Sequence, residues 1–364
     1  MPSRYKPPRE LLIKRTFSGH SATNEREEKI LQCNIHCFDD DVRRADEGMC
    51  APRARGGLNG REKMRAHRIH LASIALLLAL SASACAGAGS QSGADEFSER
   101  NQSEHLSTVG AKDFERSNFD NSTTVDNKWF PLEPGEYSVF EGSAIDDGQR
   151  ISRRVVSTVT DLSKVINGVD TIVVWERDYS EDEEVEAELA FFAQDTYGNV
   201  WHMGEYPEEY ENGEFEKAPG WLAGLKGAKA GIAMRAEPRL KTPSYAQGYA
   251  PPPINRVDRG RVYKVGKKSC VPIDCYDEVL VIEEFEPNNP GAFQLKYYAP
   301  GVGDVRVGWR GPEEEEKEGL ELVKDVRLSP QGVANARAEA LKMEKYAYQI
   351  KDYFAKTQPA KPTL

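Results

Sequence analysis

Histidine is the side chain that most readily moves a proton near neutral pH, so its positions bound the catalysis this chain can support. After residue 85 it occurs only as His105 and His202. His105 lies in a polar stretch without periodicity, so a Ser-His-Asp or Cys-His device would have to be built on His202. The segment Val200-Trp-His-Met-Gly-Glu-Tyr206 alternates as a strand does, which places His202 on the face opposite Trp201 and Met203. An ordinary strand histidine is the expectation there. No G-x-S-x-G, H-E-x-x-H, Walker loop or dinucleotide fingerprint occurs beyond residue 112.

Carboxylates are abundant, at Glu181-Asp-Glu-Glu184, Glu208-Glu209, Glu211, Glu214, Glu216 and Glu313 to Glu316. A glycosidase needs two of them at a set separation across a cleft, and so many acids select no pair. Such runs are expected as solvated turns that keep a protein soluble. The ordered D-x-D-x-D-G calcium loop is absent, so neither a metal nor a cofactor is expected. Cys270-Val-Pro-Ile-Asp-Cys275 holds the cysteines that follow Cys85. In an exported chain so close a pair reads as a disulfide clamping a turn; a redox pair, the alternative, would want C-x-x-C in a βαβ setting. The ligand contacts expected are Trp221, Trp201 and His202. Trp221 opens a Gly-rich stretch, although packing is the commoner role of a tryptophan. No catalytic residue is assigned.

These residues must be positioned by strands. Glu136–Gly142, Arg150–Asp161, Asp170–Asp178, Glu184–Asp195 and Val200–Tyr206 are β-type runs, separated by turn signals such as Asp147-Gly148, Asn167-Gly168 and Tyr197-Gly198-Asn199. Within Glu184–Asp195, Val185, Ala187, Leu189 and Phe191 share one face, and Glu184, Glu186 and Glu188 the other. Further strands follow at Arg256–Gly266, Glu278–Glu286, Ala292–Ala299, Asp304–Arg310 and Gly319–Leu328. Roughly ten strands with short connections predict a mainly β fold, a single wide curved antiparallel meander of half-barrel or cup-like form. Between Pro219 and Pro253 the pattern fails, which predicts either a lid over a cavity or a solvated loop. Ser329-Pro330 then supplies an N-cap and first-turn proline. Val333, Ala336, Ala340, Met343, Ala347, Ile350 and Phe354 recur at helical steps, predicting one C-terminal amphipathic helix of about 25 residues packed on the sheet.

The 364 residues carry a net charge of −11, which combines +5 through residue 85 with −16 after it. An acidic chain repels phosphate, so no nucleic-acid partner is expected. Near the sign change, Met64-Arg-Ala-His-Arg-Ile-His70 leads into an apolar run, Leu71 to Leu80, and then Ser-Ala-Ser-Ala-Cys85. Basic residues, a short apolar run and small residues describe a secretory signal peptide. Its end resembles the lipobox of bacterial lipoproteins, which implies a lipid on Cys85; Ala82 stands where that pattern usually has Leu. Cleavage after Ala84 with an unmodified Cys85 is the alternative.

Signal peptides begin chains, so Met64 is the expected start and residues 1–63 a non-native, disordered upstream extension; a tryptic peptide from residues 10–60 of the native protein would refute this. Cys33-Asn-Ile-His-Cys37 within it is half a zinc pattern without its other half. The expected organisation is a signal peptide at 64–85, a flexible tether at 86–112, an antiparallel β domain at 113–328, the helix at 329–357 and a disordered tail at 358–364. A random-coil tether of that length spans on the order of 30 Å.

Trp129-Phe-Pro-Leu-Glu-Pro-Gly135 with Phe140-Glu-Gly142, Asp195-Thr-Tyr-Gly-Asn-Val-Trp201 and Lys296-Tyr-Tyr-Ala-Pro-Gly-Val-Gly303 together resemble an uncharacterised family of exported bacterial lipoproteins of unknown function. The resemblance spans most of residues 126–328. It implies an envelope β protein and carries over no catalytic residue. The expected function is therefore a lipid-anchored binding module on the extracytoplasmic face of a bacterial membrane. It would be non-enzymatic, attached through its N-terminal lipid, and hold an apolar or amphiphilic ligand, or a protein partner. The alternatives are an envelope assembly factor without a small ligand, and a carboxylate-based hydrolase of envelope polysaccharide.

Overall fold

The computed structural model describes residues 114–363. The expected extension at 1–63, the signal peptide at 64–85 with its Cys85, and the tether at 86–112 lie outside the described residues.

Fifteen strands form one antiparallel sheet. They are β1 (Glu136–Asp146), β2 (Gln149–Ile166), β3 (Val169–Ser180), β4 (Glu183–Gln194), β5 (Val200–Glu211), β6 (Glu214–Lys217), β7 (Trp221–Leu222), β8 (Gly231–Met234), β9 (Tyr245–Ala246), β10 (Arg259–Val271), β11 (Asp274–Phe285), β12 (Phe293–Ala299), β13 (Gly303–Arg310), β14 (Gly319–Arg327) and β15 (Lys361–Pro362). The main path runs β6-β5-β4-β3-β2-β1-β14-β13-β12-β11-β10-β9, so two meanders meet where β1 pairs with β14. The sheet is open, not a closed barrel. Local chemistry sets its corners. Asn167 and Gly168 take φ of 52° and 79°, and Asn212 and Gly213 take 54° and 75°. Two successive left-handed residues make the type I′ turn whose twist matches a hairpin, and Asn-Gly tolerates them best.

The insertion between Pro219 and Pro253 is no solvated loop, and its Ala233 and Gln247 line a cavity against the sheet. It supplies β7 and β8, which pair with β5, and β9, which pairs with β10. Lys229 and Tyr249 exchange backbone hydrogen bonds of 2.8 and 3.0 Å, tying the two ends of the insertion together between the outer strands of the meanders. A Cβ on Gly231 would lie 2.1 Å from the Gly248 nitrogen, so only glycine allows this approach. Trp221, Leu222, Ala223, Met234 and Tyr245 are buried there. The abundance of Gly and Ala, which breaks the strand pattern in the sequence, is what close packing of backbone on backbone requires.

Helix α1 (Pro330–Ile350) begins at Ser329, whose hydroxyl accepts from the Gly332 N–H at 3.2 Å. Ala340, Met343 and Ala347 are buried in one core with Leu162 of β2, Val173 of β3, and Leu189 and Phe191 of β4. The helix stops several residues earlier than its apolar stripe predicts, because Lys351 is extended (φ −121°, ψ 108°). A 3-10 turn at Phe354–Lys356 then drives Phe354 into full burial against Tyr206 and Tyr348.

The tail expected to be disordered at 358–364 is instead ordered through residue 363. β15 pairs with Ser163 and Leu162 of β2. The buried Lys164 ammonium donates to Glu344 Oε1 at 2.6 Å, the Tyr348 hydroxyl at 3.1 Å and the Gln358 carbonyl at 2.8 Å. Such a fully bonded cation fixes helix and tail to the sheet, since moving either strands a buried charge. At the far end of the β10–β11 hairpin, Cys270 and Cys275 face one another and are joined by a disulfide.

Candidate functional site

Both faces of the central strands are buried. On β4, Ala187, Leu189 and Phe191 belong to the core shared with α1, whereas Glu188, Ala190 and Phe192 line a cavity of about 710 Å³. β1, β2, β3, β4, β11, β12, β13 and β14 all contribute to its lining, so the sheet curves around it.

Polarity changes along β3 and β12. On β3 the inward row runs Val174, Glu176, Asp178. Cross-strand register places Val174 opposite Ala190, and Glu176 directly opposite Glu188. On β12 the same progression runs from Tyr298 to Lys296 to Gln294. Phe130 and Leu132, from the segment before β1, pack with Val159, Val174, Phe192 and Tyr298. The cavity is therefore rich in carboxylates around Glu176, Asp178 and Glu188 and aromatic around Phe130, Phe192 and Tyr298, with Asp304 opposite Tyr298 in register.

Burial dominates the electrostatics. It pushes the Asp178 carboxyl up to about 8, assisted by Glu176 and opposed by Arg153. It raises Asp304 to about 7 against the pull of Lys296, and Glu188 well above the usual carboxylate range, with Glu205 adding to the effect. Like charges in a medium of low dielectric cannot all ionise together, so protons remain on part of the cluster at neutral pH. The cations stay charged. Lys296 is held up by Asp304, Glu284, Glu318 and Glu176 despite its burial. Arg256 donates to Glu205 Oε1 at 2.7 Å and lies 3.2 Å from Asp258.

Of the residues singled out in the sequence, His202 lines the cavity. Its ring stacks on Phe192 at 5.0 Å, the residue opposite it in register. Burial, with the Arg256 charge, holds it well below the ordinary histidine range, so it is neutral. Its Nε2 stands 3.5 Å from Glu205 Oε2 and makes no hydrogen bond among the described residues. Trp221 is buried one layer behind, edge-on to His202 and beneath the Arg256 guanidinium, and does not line the cavity. Trp201 points to the other face, where its Nε1 donates to Asp195 at 2.9 Å and its ring packs on Phe114 and Phe119. The structure thus brings His202 and Trp221 together, while Trp201, in the same core as Trp221, lies on the face of β5 opposite His202.

One of the acidic runs expected in solvated turns is not there, whereas Glu313 to Glu316 do lie in the exposed turn between β13 and β14. Glu208 is buried and accepts from the Tyr206 and Tyr210 hydroxyls at 2.8 and 2.6 Å. Glu313, Glu314 and Glu315 border the cavity. Sequence reasoning did not select Glu176, Asp178, Glu188, Arg256 or Lys296. The one available signal was the alternation of β4, whose glutamate face is regular enough to be a surface but carries no mark of what covers it.

No protein-family model matches the chain, and no curated protein sequence does. Two solved structures are similar: a candidate exported protein with a YmcC-like fold from Bacteroides fragilis, and a candidate lipoprotein from Parabacteroides distasonis. The first is 12% identical with a TM-score of 0.33, the second 13% identical with a TM-score of 0.31. Each match covers 55% of this chain and 100% of the other.

Proposed function

We propose that this is a lipid-anchored, extracytoplasmic envelope protein that holds an amphiphilic ligand in the concavity of its sheet. One observation carries the ligand: the cavity of about 710 Å³ has an aromatic region and a carboxylate-rich one within a few residues of the same strands. A wholly apolar ligand would leave the buried acids facing hydrocarbon, and a wholly polar one would leave Phe130, Phe192 and Tyr298 facing water; an amphiphile satisfies both. The anchor is supported by the apolar segment ending in Cys85. The role is binding, and no reaction is assigned to it.

Solvent extraction of the envelope-purified protein, followed by mass spectrometry, tests the ligand. An amphiphile in stoichiometric amount is the expected result. Protein that retains nothing and, once delipidated, rebinds no chain-bearing probe would remove the proposal. Intact-mass measurement tests the anchor separately, through the lipid on Cys85.

A further inference from the structure

We infer that the carboxylate-rich region of the cavity is built for an organic cation, an ammonium or guanidinium group carried on the apolar chain. This ligand class presupposes the amphiphile-binding function proposed above and narrows it to one kind of head group.

The charges facing one another do not balance. Glu176, Asp178, Glu188, Asp258, Glu284, Asp304 and Glu318 line the cavity together with Lys296 and Arg256. Arg256 donates to Glu205 Oε1 at 2.7 Å and lies 3.2 Å from Asp258. Arg153 lies 3.6 Å from Asp178 and 3.5 Å from Glu318. Three cations thus stand among eight carboxylates. Folding brings these acids together from β3, β4, β5, β11, β13 and the segments before β10 and β14, on both halves of the sheet.

Burial first, and the neighbouring carboxylates second, hold Asp178 and Glu188 above ordinary carboxylates and keep protons on them. A bound ammonium replaces those protons and lets the acids ionise against a fixed positive charge. An anionic head group meets the same field as repulsion. A metal ion is a poorer occupant, because no cluster of three or more His, Cys, Asp or Glu among the described residues is arranged to hold one. A second sign is His202, which is 6% exposed, lines the cavity beside Phe192 and holds its Nε2 3.5 Å from Glu205 Oε2. Its Nε2 has no hydrogen-bond partner among the described residues, and a ligand N–H supplies one.

Calorimetric titration of the delipidated full-length protein tests this at low salt and pH 7.5. The probes share one chain: decylammonium, decyl maltoside and decyl phosphate, each below its micelle-forming concentration. Decylammonium is expected to bind at least about tenfold tighter than the maltoside, with decyl phosphate weaker than both. Its heat should vary with the ionisation enthalpy of the buffer, because binding releases protons. The double variant Glu176→Gln with Glu188→Gln should lower decylammonium affinity by about tenfold. Lys296→Met, which removes a competing internal cation, should raise it, so a gain remains measurable if the double variant does not fold. Equal or tighter binding of the neutral or anionic probe, or no gain from Lys296→Met, overturns the head-group assignment. Failure of all three probes to bind overturns the amphiphile function itself.

Discussion

The outer and inner faces of β3 and β4 are equally hidden from bulk water, yet they are built from opposite chemistry. Outward, Val173, Leu189 and Phe191 meet Ala340, Met343 and Phe354 in a dry, close-packed core. Inward, the same strands carry Glu176, Asp178 and Glu188 towards a cavity. Apolar burial stabilises the outer face by about 1.5 to 3 kcal/mol per large side chain. Buried carboxylates return little or nothing once desolvation is subtracted. The outer face therefore holds the fold, and the inner face is retained at some cost to stability, as expected of a surface shaped for a ligand.

The largest effect should come from breaking the outer face. Phe354→Ala should cost about 3 to 5 kcal/mol in urea unfolding, while ligand capture by the folded fraction stays unchanged. A loss of capture at constant folded fraction would mean that the two faces are coupled. Lys164→Met is expected to cost about 3 kcal/mol, because it leaves Glu344 buried without its cation; adding Glu344→Leu should recover most of the loss. If the double variant is no more stable than the single one, Lys164 acts through packing and not through charge.

Away from both faces, replacing Cys270 and Cys275 by Ala removes a small covalent loop at the end of a hairpin. The chain-entropy model assigns so short a loop about 2 kcal/mol. An unchanged melting temperature would show that the hairpin needs no clamp.

The smallest effect sharpens the comparison from inside. Asp178 titrates at about 8 and Asp304 at about 7 in the folded chain, against ordinary values of 3.8. Between those limits the native state holds protons that the unfolded chain has released. Their contribution to stability is therefore fully present below 3.8 and is lost as pH rises through 7 and 8. Melting temperature should fall from pH 5 to pH 8.5. Asp178→Asn should flatten that slope while changing stability at pH 5 by less than about 1 kcal/mol. A melting temperature that rises over the same range would mean these acids are ionised in the native state, and the contrast between the faces would lose its basis.

How far this was legible varies by element. The hairpins at Asn167-Gly168 and Asn212-Gly213, the alternation of β4, the face of His202 and the start of α1 at Ser329 all follow from local rules, because φ preference and side-chain period act within a few residues. The strands of the insertion at 219–253 are not legible for the opposite reason. Gly231 looks like a loop residue until Gly248 lies against it. The tail was misjudged likewise, since Lys361–Pro362 becomes a strand only beside Ser163 and Leu162.

Residue order alone determined that the body is a β meander with one terminal helix, that Cys270 pairs with Cys275, and that the two sides of β4 differ in kind. Only the tertiary structure decided what the charged side meets. Alternation specifies that Glu186 and Glu188 share a face, but whether that face sees water depends on how a wide sheet coils and on which strands return opposite it. Segments far apart in the chain bring Arg256 to Glu188 and line the same cavity with Lys296 and Asp304. The raised protonation, set first by burial and then by neighbouring carboxylates, is a property of the cavity and not of any segment.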